Sequence, residues 1–213
     1  MTTTTGATPM GSAAQRGRIE ITRNGEKSIV VFQFNPSSLR RSLQPKMVGG
    51  NSESKATPMY FTGPPVETMN VRIELASDEN TSDIPWKDVG TYGVRPLLAA
   101  LETAMYPAAE QIEGAEQKLK SGKMEIGVYG VPLIVFIWGE TKAPVKFTSM
   151  SITEQQFNKK LIPTLATVDL GMQVLTAEDV HPSDPAYSVY MAYQRTKEKL
   201  AKLCFETNAA AGD

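Results

Sequence analysis

The chain is poor in the residues from which most catalytic and metal sites are built. Its 213 residues include one cysteine, Cys204, and one histidine, His181. A single cysteine excludes an intrachain disulfide, and a single histidine excludes any site that needs several imidazoles. The cysteine content is consistent with a reducing compartment, and we expect the protein to be assembled in the cytoplasm.

Long apolar runs and an excess of charge of either sign are also missing. The longest apolar run, Val131 to Trp138, is far shorter than the roughly 20 residues that span a bilayer. The first 17 residues lack the apolar segment of a signal peptide. Lys and Arg total 22 against 23 Asp and Glu, for a net charge of −1. We therefore expect no nucleic-acid partner and no direct insertion into a membrane.

The few candidate reactive residues lack the neighbours that would complete a site. His181 lies close to Glu178, Asp179 and Asp184, so a carboxylate–histidine metal site is one alternative, but a loop histidine before a helix cap is favoured. Cys204 falls between apolar residues of the last predicted helix, which favours a buried or half-buried side chain over a nucleophile. No G-x-S-x-G or Walker-type motif is present. We expect no catalytic residue, no metal and no cofactor.

What the chain does contain is a series of strand patterns. Asn24-Gly25 separates two apolar runs and favours a type I′ hairpin turn. The segment 39–47 is predicted to be an edge strand or a short strand, because Pro45 cannot donate to a ladder. Asp169 lies in a strand and is expected to face solvent, a subunit contact or a pore. Further strands are predicted at 68–77, 131–139, 143–157 and 164–176.

Helical patterns occur in the middle of the chain and at its end. Residues 94–105 place apolar side chains at helical spacing, whereas residues 108–122 are polar and indicate a weak helix or a mobile excursion. Asp184-Pro185 is predicted to cap and begin the C-terminal helix. This order indicates an α+β fold, mainly antiparallel β, with a central helix and a C-terminal helix, and not a doubly wound parallel sheet.

The ordered set of motifs between residues 18 and 203 resembles the contractile injection system tube protein family, which comprises baseplate and inner-tube components of phage-tail-like particles. The matched residues are Phe34, Asn35 and Pro36 for an aromatic-Asn-Pro entry, Gly63 and Pro64 for a Gly-Pro step, Trp138 and Gly139 for a strand end, and Ser151 to Glu154, Phe157, Pro163 and Ala166 for a long Ser-Ile-Thr-Glu segment. Many relatives also carry a LysM module. This chain stops after its last predicted helix, so we expect no cell-wall-binding role.

The resemblance implies a fold and a set of partners. The implied fold is an antiparallel β-barrel or sandwich similar to phage tail-tube and type VI secretion tube subunits, with a packed central helix and a C-terminal helix. Such subunits close into rings of six copies around a lumen. The implied partners are copies of the chain itself, neighbouring tube subunits, the spike hub and baseplate or sheath proteins, in a particle that can be released from the cell. The expected organisation is a disordered tail at 1–16, a tube-like β domain at 17–180 with its helix at 94–105, a helical extension at 181–206 and a disordered tail at 207–213.

The leading hypothesis is a structural subunit, not an enzyme, that forms or initiates the inner tube at the baseplate between the spike hub and the stacked tube. We expect Arg40 and Arg41 to form ion pairs across a subunit boundary, and loops at 46–62 and 76–92 to reach the next ring or the baseplate collar. The alternative is a baseplate adaptor that links the tube to sheath or spike through the C-terminal helix, and a cell-wall enzyme is a distant third. The residues expected at subunit interfaces are Phe34, Asn35, Pro36, Arg40, Arg41, Trp138 and Phe157.

Overall fold

The part of the chain that the structure describes folds around one antiparallel sheet of seven strands, with four helices. The structure is a computed structural model that describes residues 16–32, 34–49, 58–77, 89–122 and 129–210. In chain order the elements are β1 (Arg18–Arg23), β2 (Glu26–Val31), β3 (Leu39–Val48), β4 (Tyr60–Ala76), α1 (Val89–Tyr92), α2 (Arg95–Thr103), α3 (Ala109–Lys120), β5 (Leu133–Trp138), β6 (Thr141–Phe157), β7 (Pro163–Val174) and α4 (Pro185–Ala210). The sheet has the strand order β2-β1-β5-β6-β7-β4-β3. The predicted α+β class, mainly antiparallel β, is confirmed.

The sheet curls around its core, with β2 and β3 as its edges. One cluster of buried residues draws side chains from both ends of the strand order. An isolated antiparallel bridge between Phe34 and Glu74 links the chain after β2 to β4. In the part of the chain that the structure describes, the sheet is therefore closed at this point, while the outer edge of β3 is left without a partner strand.

The turn between β1 and β2 has the predicted hairpin geometry. Arg23 pairs with Glu26, and the two residues between them have positive φ angles, 51° for Asn24 and 84° for Gly25. Positive φ at both central positions matches the right-handed twist of the flanking strands. The hairpin turn predicted from Asn24-Gly25 is confirmed.

Strand β3 is an edge strand, as its proline predicts. It pairs with β4 from Leu39 opposite Val71 to Val48 opposite Tyr60, and the register shifts on both sides of Lys46, next to Pro45. The prediction of a loop over 46–62 is wrong at both ends, because Lys46–Val48 and Tyr60–Thr62 continue the ladder. The loop predicted at 76–92 is also wrong at both ends, because Ala76 ends β4 and Val89–Tyr92 forms α1. Residues 50–57 and 78–88 lie outside the described residues.

The core lies between the inward side of the sheet and helix α2. In β4 the inward positions Met69, Val71, Ile73 and Leu75 are all buried, and they alternate with exposed polar residues. Helix α2 buries Leu97, Leu98 and Leu101 against this surface. Each fully buried side chain of this size contributes about 1.5–3 kcal/mol, so this layer is a substantial source of stability.

The helices follow their sequence signals, except that α4 extends further than predicted. Helix α2 lies within the range predicted at 94–105. For the polar segment 108–122, of the two predicted alternatives, a weak helix or a mobile excursion, the structure has the helix, α3. Helix α4 starts at Pro185, and Asp184 Oδ1 accepts a hydrogen bond of 2.8 Å from the N–H of Ala186. It continues to Ala210, beyond the boundary predicted at 206. None of the helices in the described ranges has the length and apolar character of a membrane span.

Candidate assembly surface

The outer part of the β3–β4 hairpin carries large apolar side chains that are exposed among the described residues. We call residues 46–49 and 58–62 the arm. Its exposed apolar residues are Met47, Val48, Met59, Tyr60 and Phe61, and Phe61 is 76% exposed. Contiguous exposed apolar surface of this kind marks an interaction site. The arm is therefore the first candidate for a contact with another molecule.

The root of the arm is held by the segment that connects β7 to α4. Lys46 Nζ lies 2.5 Å from Glu178 Oε2. A Cβ at Gly63 would overlap the Glu178 carboxylate, so a larger residue here would displace the end of this side chain. Asp179 Oδ2 accepts hydrogen bonds from the N–H of Thr176 at 2.9 Å and from its hydroxyl at 2.7 Å, which fixes the turn that carries Glu178. The Gly-Pro step therefore permits a close contact that the sequence does not reveal.

A buried carboxylate joins β3, β4 and α4 just below the arm. Glu67 on β4 is 3% exposed. Its Oε1 accepts hydrogen bonds from Arg41 Nε at 2.9 Å and from the Tyr193 hydroxyl at 2.8 Å. Its Oε2 accepts one from Lys197 Nζ at 2.6 Å. The two cations and the phenol thus fix helix α4 against the hairpin.

The protonation of this cluster follows from its contacts. Burial by itself would raise the pKa of Glu67, but the hydrogen bonds from Lys197, Tyr193 and Arg41 outweigh burial and hold that pKa below its usual range. Burial and the hydrogen bond to Glu67 raise the pKa of Tyr193, so the phenol remains a donor. At neutral pH the cluster is therefore an ionised carboxylate with its donors in place.

Arg40 and Arg41, predicted to act together, have different environments. Arg41 binds Glu67 and donates to the Tyr193 hydroxyl at 3.0 Å, all within the chain. Arg40 is exposed on the outer edge strand opposite Asn70, and among the described residues it has no ion-pair partner. The predicted ion pair across a subunit boundary remains a prediction, and Arg40 is the residue available for it.

The other predicted interface residues lie in three separate places. Phe34 is exposed at the bridge to β4, and the adjacent Asn35 accepts a hydrogen bond of 2.9 Å from the N–H of Gly17. Pro36 is half-buried beside them. Phe157 is exposed at the end of β6, whereas Trp138 is half-buried and stacks on Phe136 with ring centroids 6.4 Å apart. Their role at an interface stays a prediction.

The outward side of β4, β6 and β7 is polar. Arg72 and Asp169, which are partners in the β4–β7 register, form two hydrogen bonds of 2.7 and 3.0 Å. Hydrogen bonding to Arg72 lowers the pKa of Asp169. Beside this pair lies an open groove of about 340 Å³ whose lining includes Ser149 and Gly171. Asp169 was expected to face solvent, a subunit contact or a pore, and in the single chain it faces solvent in an ion pair with Arg72.

The described residues contain no group of three or more His, Cys, Asp or Glu side chains that could hold a metal ion. His181 Nδ1 lies 2.8 Å from the Ser183 hydroxyl, in the loop before α4. Cys204 is exposed, and the prediction that it packs as a buried or half-buried side chain is wrong. The reason is that the residues of α4 from 198 to 204 extend beyond the sheet and are all exposed.

Comparison with known proteins gives distant structural neighbours. The chain matches no protein-family model and no curated protein. One solved structure to which this chain is similar is a chain from the tail of an empty gene transfer agent particle, refined with C6 symmetry. The two chains are 14% identical with a TM-score of 0.30, and the match covers 75% of this chain and 90% of the other. Another comes from the virion of a native gene transfer agent particle, at 13% identity and a TM-score of 0.29, covering 74% and 90%. The family suggested by the sequence motifs therefore remains a hypothesis.

Proposed function

We propose that this chain is a structural subunit of a contractile injection system, which forms or initiates the inner tube at the baseplate between the spike hub and the stacked tube. The observation that carries the proposal is an antiparallel sheet whose outer edge at β3 has no partner strand among the described residues, together with an exposed apolar arm. Such edges pair with other chains unless they are blocked. The motifs that resemble the tube protein family point in the same direction.

Lateral closure would use the two edges of the sheet. Strand β2 carries Glu26 and Lys27 on one edge, and β3 carries the exposed Arg40 on the other. Pairing β3 of one copy with β2 of the next would continue the sheet and remove both edges. The resemblance suggests six copies, and interfaces of this class bury over ~2,000 Å².

The polar outward side suits the lumen of such a ring. Asn70, Arg72, Ser149 and Asp169 present hydroxyl, amide and paired charged groups there. A surface with these groups and few apolar side chains lets a hydrated cargo or spike pass without adhering. In this role the chain is passive and needs neither a nucleotide nor a metal.

A second function is favoured by the end of α4. Leu200 and Leu203 are exposed on the part of the helix that extends beyond the sheet. An amphipathic helix of this kind can lie in a groove of another protein. This observation supports a baseplate adaptor that binds sheath or spike through α4 and works as a monomer until it meets that partner.

Electron microscopy of the purified full chain separates the two functions. We expect rings for the tube subunit, and fewer rings for Arg40→Glu, because charge reversal on the edge strand opposes pairing. Lys142→Glu, a charge reversal at another exposed site, is the matched control and should leave ring formation unchanged. A protein that stays monomeric at high concentration would contradict the tube function and favour the adaptor.

A further inference from the structure

Helix α3 has no buried residue, although it is 12 residues long. A helix in a folded protein draws most of its stability from packing an apolar face on the rest of the molecule. Such a face is present on α3. Ile112 and Leu119 lie about two turns apart and therefore on the same side of the helix, and both are exposed, Leu119 by 67%. The apolar face of α3 is thus exposed among the described residues.

The end of helix α4 has a second exposed apolar face. We call residues 198–204 the α4 tip, and all of them are exposed. Leu200 and Leu203 lie on adjacent turns of the tip, so they form one face, and Leu200 is 55% exposed. The tip therefore resembles α3 in presenting leucine-sized side chains to solvent.

The apolar face of α3 is flanked by negative charge. Glu116 is four residues after Ile112 and three before Leu119, so its carboxylate lies beside both side chains. Glu113 is one turn before Glu116, and both glutamates are exposed. The basic residues of α3 are confined to its last turn. A partner of this face needs apolar side chains with cations next to them.

The α4 tip has that combination. Lys199 and Lys202 are exposed and one turn apart, and Lys199 lies one turn before Leu203. Lys197, just before the tip, is already bound to Glu67 and is not counted here. The tip contains one acid, Glu198, and its Oε1 lies 3.5 Å from Nε2 of Gln194 within α4. The two exposed faces are therefore complementary in charge as well as apolar.

The two helices lie near opposite edges of the sheet. Glu110 of α3 and Ser28 of the edge strand β2 line the same open cavity of about 410 Å³. Arg23 of β1 donates hydrogen bonds of 2.8 and 2.7 Å to backbone carbonyls just before α3, which holds this region against the β1–β2 hairpin. Helix α4 is instead tied to the other edge strand, since Arg41 of β3 donates to the Tyr193 hydroxyl. The tip follows this anchored part of α4.

We infer that the α4 tip of one copy packs along α3 of a second copy. The leucines of the tip lie against the apolar face of α3, and its two lysines lie beside the two glutamates. The contact joins two different surfaces of the chain, so it is heterologous. It rests on the proposed tube function for the placement of the copies, because pairing β3 of one copy with β2 of the next brings the tip toward α3 of that neighbour.

This contact differs from the pairing of sheet edges in what carries it. Edge pairing uses backbone groups and is open to any strand, whereas the helix contact depends on side chains and their charges. Charge complementarity also favours a second copy over a sheath or spike protein as the occupant. The tip needs an apolar surface flanked by acids, and α3 supplies one in every copy. The helix contact therefore adds specificity that the sheet edges do not have.

Charge reversal on each side tests the contact in the full chain. The tip variant carries Lys199→Glu and Lys202→Glu, and the α3 variant carries Glu113→Lys and Glu116→Lys. Each variant places like charges across the contact and should weaken the association of copies about tenfold or more, measured by analytical ultracentrifugation. The melting temperature should stay that of the unmodified protein, because all four side chains are exposed.

A mixture of the two variants gives the decisive result. Within either variant the tip and α3 have the same sign of charge, whereas in an equimolar mixture each tip can meet an α3 of opposite sign on the other variant. We expect the mixture to recover most of the lost association. Unchanged association in either variant, or a mixture as weak as either variant alone, would overturn the inference.

The matched control carries Lys142→Glu and Lys146→Glu, two exposed lysines on β6. It has the same change in net charge as the tip variant and should associate like the unmodified protein. A control that weakens association as much as the tip variant would also overturn the inference, because net charge alone would then explain the loss.

The outcomes also separate this inference from the proposed function. Rings of the unmodified protein that neither variant weakens would overturn the helix contact and leave the tube subunit standing. Open oligomers without rings, disrupted by each variant and restored by the mixture, would support the helix contact and contradict the tube function. A monomer at every concentration would overturn both and favour the adaptor.

Discussion

The two halves of β4 differ in how far the rest of the protein covers them. From Glu67 to Leu75 every second side chain is buried, whereas at the start of the strand Tyr60 and Phe61 are exposed although they are just as apolar. The difference lies in what covers them. The inner half faces α2 and the other strands, and the outer half extends past them. An apolar side chain of β4 is therefore buried or exposed according to its position along the strand.

The largest effect on this comparison should come from the covered side. Phe136 on β5 is fully buried and packs with Phe32 and Trp138. Phe136→Ala should lower the free energy of unfolding by about 3–5 kcal/mol, because it removes a large side chain and leaves a cavity. Urea denaturation followed by circular dichroism measures this. A loss below about 1 kcal/mol would mean that the sheet interior is not the main source of stability.

The junction between the two halves should show the next largest effect. Glu67→Gln keeps the size of the side chain but leaves Arg41 and Lys197 without a charged partner, and should cost about 1–3 kcal/mol at pH 7. Glu154→Gln, at an exposed position, is the matched control and should cost little.

The pH dependence of this loss has a definite sign. The pKa of Glu67 is lower in the folded protein than its ordinary value of 4.5. Its stabilisation is therefore fully present above the unfolded pKa and is lost as the pH falls through the folded pKa. The gap in stability between the unmodified protein and Glu67→Gln should narrow below that pH. A gap that stays constant down to pH 2 would contradict the ion cluster.

A smaller effect is expected at the β1–β2 turn, far from both halves of β4. Gly25 has a φ of 84° and open space around its Cα, so Gly25→Ala should cost about 1 kcal/mol through backbone strain alone. The matched control is Gly114→Ala in α3, which also has open space but no positive φ. This control should be neutral or slightly stabilising. Equal losses in the two variants would remove the conformational explanation.

The smallest effect on folding should come from the uncovered half. Phe61→Ser should change the free energy of unfolding by no more than about 0.5 kcal/mol, because the side chain is mostly in water before and after folding. Urea denaturation at low protein concentration isolates this effect from association. A loss as large as that of Phe136→Ala would show that the arm packs on its own chain, and would contradict the difference between the two halves of β4.

The sequence predicted those features that depend on neighbours in the chain. The Asn24-Gly25 turn, the alternation in β4 and the Asp184 cap each follow from a few adjacent residues. The Glu67 cluster does not, because Arg41, Tyr193 and Lys197 are 26, 126 and 130 residues away. The arm was hidden for a related reason: Tyr60 and Phe61 are strand residues only through their pairing with β3.

The candidate site was predicted only in part. The sequence pointed to the β3 edge and to Phe157, but it could not separate Arg40, which is exposed, from Arg41, which binds Glu67. It also assigned Cys204 to a packed face, because a helical pattern does not show how far a helix extends beyond the sheet.

The register shift beside Pro45 limits which strands can pair with the outer edge of β3. The outer edge of β3 is divided at this point into a longer stretch before the proline and a short one after it. A regular strand that pairs with the longer stretch cannot continue its hydrogen bonds past Pro45. The spacing of free carbonyl and amide groups changes at the register shift, and Pro45 supplies no amide hydrogen. Only a strand with a matching offset can pair along the whole β3 edge, so the register shift disfavours unspecific strand pairing there.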